Sequence, residues 1–189
     1  MVIMVGDALT QLDKGGWIQR GSRVELADSP IGMVVKQGAP KPAIKTDAEL
    51  RNALLQADSF AYSDSASGRY VSGQLFKKLG IEEQVKGKAH MVERIPVASE
   101  VAQGKYALGF QQVSELLPVA GVTFIGELPE NVQYITRFAG AVTAKAEHRR
   151  EGKALLEFLA SSQAQPTIRA TGMRSVPAQQ PVRQSDTVQ

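Results

Sequence analysis

Two short stretches of this chain carry side chains suited to holding a small anion, and six of their residues stand out as candidate ligand-binding residues. The first stretch is Ser63-Asp64-Ser65-Ala66-Ser67-Gly68-Arg69. Its small residues, Gly68 among them, let backbone N–H groups converge on one point, while Ser65 and Ser67 add hydroxyl donors and Arg69 adds positive charge. The second is Gln111-Gln112-Val113-Ser114-Glu115. Each side-chain amide there both donates and accepts, which suits an oxygen-bearing ligand. Consecutive residues leaving a strand point to opposite sides, so Gln112 is expected to face the ligand and Gln111 to be structural. A plainer reading stands beside each stretch: Ser67 caps a helix with Arg69 in solvent, and the glutamines form a solvated turn.

Other chemistries find little support. The spacing is not the Gly-x-x-x-x-Gly-Lys of a phosphate-binding loop, and there is no Gly-x-Ser-x-Gly nucleophile elbow. Asp64 beside Ser65 has no identifiable base, so the chain reads as a binding protein and not as an enzyme, with no cofactor. It has no cysteine, and its two histidines, His90 and His148, are not spaced as a ligand pair, so no metal site is expected. Lys and Arg number 22 against 19 Asp and Glu, a net charge of +3 that gives no argument for nucleic acid and leaves room for an anionic ligand. No apolar run approaches the roughly 18 residues of a membrane span. The opening Met-Val-Ile-Met-Val-Gly-Asp lacks the pattern of a secretory signal and reads as a strand entering a turn.

The elements that position the two stretches alternate along the 189 residues. After the first strand, turn and helix, strands are predicted at Gly21 to Ala27 and Ile31 to Lys36, separated by Asp28-Ser29-Pro30. The capping box Thr46-x-x-Glu49 opens a helix with Leu50, Ala53, Leu54 and Ala57 on one face. Phe60 to Tyr62 is a strand, and a helix with Val71, Leu75 and Leu79 in line ends at Gly80. A strand at His90 to Val92, a helix from Pro96 to Gln103 and a strand from Tyr106 to Phe110 follow, then a short helix at Val113 to Leu117 and a strand at Val122 to Ile125. Val132 to Thr143 reads as a long strand broken at Ala139-Gly140. The helix from Glu147 to Ala160 is expected to turn Leu155, Phe158 and Leu159 inward, and a last helix opens with Ser162-x-x-Gln165 and closes at Gly172. This alternation predicts an α/β architecture, its sheet largely parallel with helices on both faces. Ligands bind such sheets at the carboxyl ends of strands, where both candidate stretches stand.

Several segments recur in an order and spacing that carry a resemblance. They are Ser29-Pro30-Ile31-Gly32-Met33-Val34-Val35, Tyr62 to Gly68, Leu79-Gly80-Ile81, Gly104 to Glu115, and Phe158-Leu159-Ala160-Ser161. From about Val2 to Met173 the chain resembles the molybdate-binding-protein-like branch of the ABC-transporter extracellular solute-binding proteins. The resemblance implies a two-lobed type II periplasmic-binding-protein fold that closes on a ligand by hinge bending, with Ile31–Lys36 and Gln133–Thr143 as the crossing strands. It divides the chain into residues 1–33 as part of the first lobe, 34–133 as the second lobe, 134–173 as the return to the first lobe, and 174–189 as a disordered tail. Family members carry several dozen further residues ahead of the equivalent of Val2, which implies an N-terminally truncated, incomplete first lobe whose opening strand has an unpaired edge.

The implied function is capture of a small anion in the interlobe cleft for an ABC-importer permease. The protein would be a periplasmic or extracytoplasmic monomer, with no nucleic acid partner and no membrane insertion. Ser67 and Gly68 match the second-lobe loop that faces the ligand, and Arg94-Ile95-Pro96 falls near a further backbone contact. Gln112 falls where molybdate binders of the family place a tyrosine, so an organic carboxylate fits the amides at least as well as a molybdate-like oxyanion. Two other classes stand beside this one: the effector-sensing domain of a transcriptional regulator, which shares the fold, and a truncated product that binds nothing.

Overall fold

The computed structural model describes residues 1–176. Two sheets organise it. Strands β1 (Val2–Val5), β8 (Thr136–Ala141) and β2 (Val24–Ser29) form a three-stranded sheet in the order β1-β8-β2, antiparallel throughout. Strands β3 (Ile31–Lys36), β4 (Phe60–Ser63), β5 (Ala89–Val92), β6 (Leu108–Gln112) and β7 (Val122–Glu127) form the second sheet, in the order β5-β4-β6-β3-β7.

The sheet is mixed where the alternation predicts it largely parallel. β4 runs parallel to β5 and β6, but β3 is antiparallel to both β6 and β7. The cause is local. β2 passes into β3 across the single residue Pro30, so β3 enters the second sheet at the end where β6 finishes, with Ile31 opposite Gln112, and runs against it. The division expected at residues 33 and 34 falls inside β3, all six residues of which pair within the five-stranded sheet. The chain returns through a 3₁₀ turn at Glu130–Val132 and an extended stretch to β8.

Strand periodicity places the core. Ile31, Met33 and Val35 face a cluster with Phe60, Phe110, Leu50, Leu54 and Leu75, while Val34 and Ala61 face the opposite cluster with Val97, Val101 and Leu116. Helices cover both faces of this sheet. On one side lie α2 (Asp47–Gln56) and a helical run built of α3 (Ala66–Tyr70), a π turn (Val71–Leu75) and α4 (Phe76–Lys78), followed by α5 (Glu82–Val85). On the other lie α6 (Val97–Ala102) and α7 (Val113–Leu116). The expected capping box is present: Thr46 Oγ1 accepts from the Glu49 N–H at 3.1 Å. The three-stranded sheet is covered by α1 (Gly6–Lys14) through Leu9 and by α8 (Arg149–Ala160) through Leu156.

Two expectations on this side are corrected. β8 has no break at Ala139-Gly140; both residues pair with β1 and β2, and Gly140 leaves room for Leu156 above it. The irregular stretch instead precedes the strand. On α8 the inward residue is Leu156, with Leu159 partly covered, while Leu155 and Phe158 face solvent at 44% and 48% exposure. At 3.6 residues per turn, Gly152, Leu156 and Leu159 share the stripe that touches the sheet, and their neighbours rotate off it. Leu155→Ser and Phe158→Ser are accordingly expected to change unfolding free energy by no more than about 0.5 kcal/mol in a urea titration.

Among the described residues β1 pairs with β8 alone. Arg174, expected to begin the tail, is ordered: it exchanges backbone hydrogen bonds with Asp28 at 2.7 and 2.9 Å and its guanidinium donates to Glu127 and Glu130. These partners recruit a residue that no periodicity marks. Residues 177–189, the remainder of the expected tail, lie outside the described residues.

Candidate functional site

The parallel register Phe60↔Leu108 and Ala61↔Gly109 brings the carboxyl ends of β4 and β6 side by side. Antiparallel β3 starts at the same end, with Ile31 opposite Gln112. The serine loop, the glutamine pair and the crossing at Ser29-Pro30 therefore meet at one edge of the five-stranded sheet, where two crossover loops leave adjacent parallel strands.

At the end of β4 the hydroxyls of Ser63, Ser65 and Ser67 form a triangle, with Oγ separations of 2.7 Å (Ser63–Ser65), 3.1 Å (Ser63–Ser67) and 3.3 Å (Ser65–Ser67). Ser63 and Ser67 are buried and Ser65 is exposed. Ser65 occupies the cap position of α3, yet no side chain accepts from the helix's first amides. The plainer reading of Ser67 as a cap is thus not what the structure contains. The first N–H groups of a helix lack intrahelical acceptors and its N-terminal end is positive, so this edge presents donors toward an anion. Gly68 makes the approach possible, since any Cβ there would overlap the Ser63 carbonyl. Arg69 is exposed on the helix flank.

The two glutamines part company as their alternation requires. Gln111 Oε1 accepts from the Val97 N–H at 3.0 Å, capping α6 from outside. Gln112 is buried, and its Oε1 accepts from Ser29 Oγ at 3.1 Å, which ties the five-stranded sheet to the end of β2. Gln111→Ala is expected to destabilise the fold by about 1 kcal/mol, as loss of a cap does, measured by thermal unfolding. Arg94 reaches the same edge: its N–H donates to Asp64 Oδ2 at 3.3 Å, and its φ of 64° is the one positive value at a non-glycine among the described residues.

The crossings carry a residue the sequence does not single out. Gln133 Oε1 accepts from the N–H groups of Ile31 (2.8 Å) and Tyr134 (2.9 Å), and its Nε2 donates to the carbonyls of Ile31 (2.9 Å) and Leu128 (3.4 Å). One side chain thus fastens the two crossings to each other. Beside it Tyr134 stacks on Tyr70 with ring centroids 4.9 Å apart, and the Tyr70 hydroxyl donates to the Val132 carbonyl. Arg137 is held to Asp28 through two hydrogen bonds of 2.8 and 3.0 Å, which raise its guanidinium above the usual arginine value. Ser63, Ser29 and Gln133 escape sequence reasoning for one reason: each owes its place to partners across the fold. Only Ser63, inside a serine-rich loop, leaves a local signal.

This architecture, with a polar edge where the chain crosses between two sheets, is that of the two-lobed α/β binding proteins. The chain belongs to the family described as bacterial extracellular solute-binding protein, whose family model matches residues 1–174. It is 43% identical over 179 residues to a Pseudomonas protein named aconitate isomerase, an alignment covering 95% of this chain and 68% of that one. Among solved structures it resembles a substrate-binding domain from Clostridium difficile assigned to a molybdenum ABC transporter, with a TM-score of 0.76, 16% identity, and coverage of 92% of this chain and 76% of the other. The periplasmic molybdate-binding protein of Azotobacter vinelandii follows the same fold, with a TM-score of 0.69, 18% identity, and coverage of 93% and 78%. Among the described residues no helix is long and apolar enough to cross a membrane, and no group of three or more His, Cys, Asp or Glu residues is placed to hold a metal ion.

Proposed function

We propose that the chain captures a small organic carboxylate at the shared edge of β4 and β6, as the extracytoplasmic solute-binding component of an ABC importer. The observation that carries this reading is the serine triangle at the uncapped start of α3, held against the strand end by Gly68. In it a carboxylate accepts from Ser65, Ser67 and the first amides of the helix. Gln112 completes the set, joining the ligand to the crossing at Ser29, while Arg69 lies exposed beside it. In this reading the two sheets are the cores of two lobes, and the segments around Pro30 and Gln133 are the hinge between them. Gln112, its Oε1 taken by Ser29, has its Nε2 N–H donors left for a carboxylate oxygen to accept from.

The 43% identity to a protein named aconitate isomerase favours aconitate as the first carboxylate to test. It also favours a second reading, in which bound aconitate is turned over as well as held. Native mass spectrometry of the purified chain tests capture: a co-purified tri- or dicarboxylate supports it, and co-purified molybdate counts against it. Proton NMR of the chain incubated with trans-aconitate separates the two readings. Appearance of the cis isomer above a protein-free blank supports turnover, and an unchanged spectrum leaves capture alone.

A further inference from the structure

The structure assigns an interaction surface to the far end of the three-stranded sheet: a basic pole, centred on Trp17, that docks on an anionic phospholipid surface. It is separate from the serine edge and independent of the carboxylate reading. β8 leaves the crossing at Thr136 and runs six residues, about 20 Å, before the chain reaches this pole.

Hydrogen bonds bring two segments together there. The Ala144 N–H donates to the Trp17 carbonyl and the Gln19 N–H to the Val142 carbonyl, each at 2.8 Å, and Ile18 is bridged to Thr143. Arg149 Nη2 donates to the Ala144 carbonyl at 2.8 Å, so a single residue stands between the tryptophan and the start of α8. The indole protrudes, 62% exposed, while Ile18 beside it is buried. Its backbone is fixed, since the Trp17 N–H donates to the Leu12 carbonyl at 3.1 Å. Its ring lies over Gly15, where a Cβ would stand 2.8 Å from Trp17 Cδ1. A large apolar side chain is thus held out to water by a backbone fitted to it.

Charge supplies the second observation. Residues 13–20 and 144–150 carry Lys14, Arg20, Lys145, Arg149 and Arg150 against Asp13 and Glu147, an excess of three that equals the net charge of the whole chain. All five cations are exposed, and among the described residues none forms a salt bridge. The hydrogen bonds of Arg149 go to the carbonyls of Ala144 and Ala146, which leave its charge in place.

These charges choose the occupant. A second copy of the same pole is repelled by them, and a dense negative surface is attracted. The indole selects a surface whose charge overlies an apolar layer, because its ring settles at the level of the headgroups while lysine and arginine meet the phosphates. A phospholipid surface deforms around a protruding ring, whereas an acidic protein has to provide a pocket for it. One indole and five cations give reversible, salt-sensitive attachment without insertion.

Trp17 is the only tryptophan of the chain, so its emission reports the contact. The full chain is titrated with vesicles of phosphatidylglycerol and phosphatidylcholine in equal parts, with vesicles of phosphatidylcholine alone, and with poly-L-glutamate. The anionic vesicles are expected to shift the emission to the blue, to quench it when their acyl chains are brominated, and to sediment the protein at low salt but not at high salt. Phosphatidylcholine and poly-L-glutamate, which each lack one of the two features, are expected to leave it unshifted. The triple variant Lys14→Gln, Arg20→Gln, Lys145→Gln is expected to bind the anionic vesicles about a hundredfold more weakly, at roughly fivefold for each charge, with an unchanged melting temperature. Trp17→Ala, followed by sedimentation, is expected to weaken binding as well. Equal binding to phosphatidylcholine, undiminished binding by the triple variant, or no shift with any probe would overturn the proposal. A shift as large with poly-L-glutamate as with anionic vesicles would also overturn it in favour of an acidic protein partner. A shift that follows protein concentration alone would do so in favour of a second copy.

Discussion

Gly68→Ala is expected to destabilise the fold by about 3 kcal/mol and to abolish anion binding. The added methyl group would overlap the Ser63 carbonyl oxygen and crowd the Ser63 carbonyl carbon and nitrogen, all of them backbone atoms. None of these can step aside cheaply, because Ser63 ends β4, which is paired to β5 on one side and β6 on the other. Relief must come from lifting α3 off the strand end, which opens the serine triangle and carries the helix amides away from the ligand. Gly73, in the same helical run, is the internal control. Nothing lies within 4 Å of where its Cβ would stand, so Gly73→Ala is expected to stabilise by up to about 1 kcal/mol through helix propensity. Urea titration of the two variants should therefore show midpoints moving in opposite directions. A Gly68→Ala midpoint equal to wild type would contradict the close helix-to-strand contact on which the site depends.

Ser67→Ala is expected to weaken carboxylate binding by about one to two decades. Hydrogen bonds to a charged partner contribute roughly 1.5–3 kcal/mol each, and each 1.4 kcal/mol is tenfold. The Ser67 hydroxyl is buried between Ser63 and Ser65, so its loss removes a donor and also frees the exposed Ser65 hydroxyl to rotate. Stability should fall little, since Ser63 and Ser65 keep their own 2.7 Å contact. Arg69→Ala provides the contrast. Arg69 is exposed, and at physiological salt an exposed charge is screened over about 8 Å, so affinity should change little. Circular dichroism of both variants checks that the fold is intact, and unchanged affinity in Ser67→Ala would remove the serine loop from the site.

Much of this architecture is legible in the residues, and the exceptions share a physical cause. Local chemistry announces the elements: the Thr46 capping box, the Gly80 stop, and the period-two alternation of Ile31, Met33 and Val35 each need only neighbours in sequence. Pairing direction does not. Pro30 reads as a turn between two strands, but it separates strands of different sheets, and β3 enters its sheet at the end where β6 finishes, which makes it antiparallel. The face of α8 is ambiguous for a similar reason. Leu155, Leu156, Phe158 and Leu159 cover more than one stripe, and only the docking surface selects Leu156. At the site, the serine loop and the glutamine pair declare their chemistry by type and by position after a strand. Gln133 declares nothing, because it acts through partners about a hundred residues away.

In the function proposed here, this edge of the fold holds an organic carboxylate. Isothermal titration of the chain with trans-aconitate, run beside an identical titration with molybdate, decides between the two anions. The expected result is a saturable heat for trans-aconitate with one site per chain, weakened by about one to two decades in Ser67→Ala, and no saturable heat for molybdate. Saturable binding of molybdate with none for trans-aconitate would contradict it.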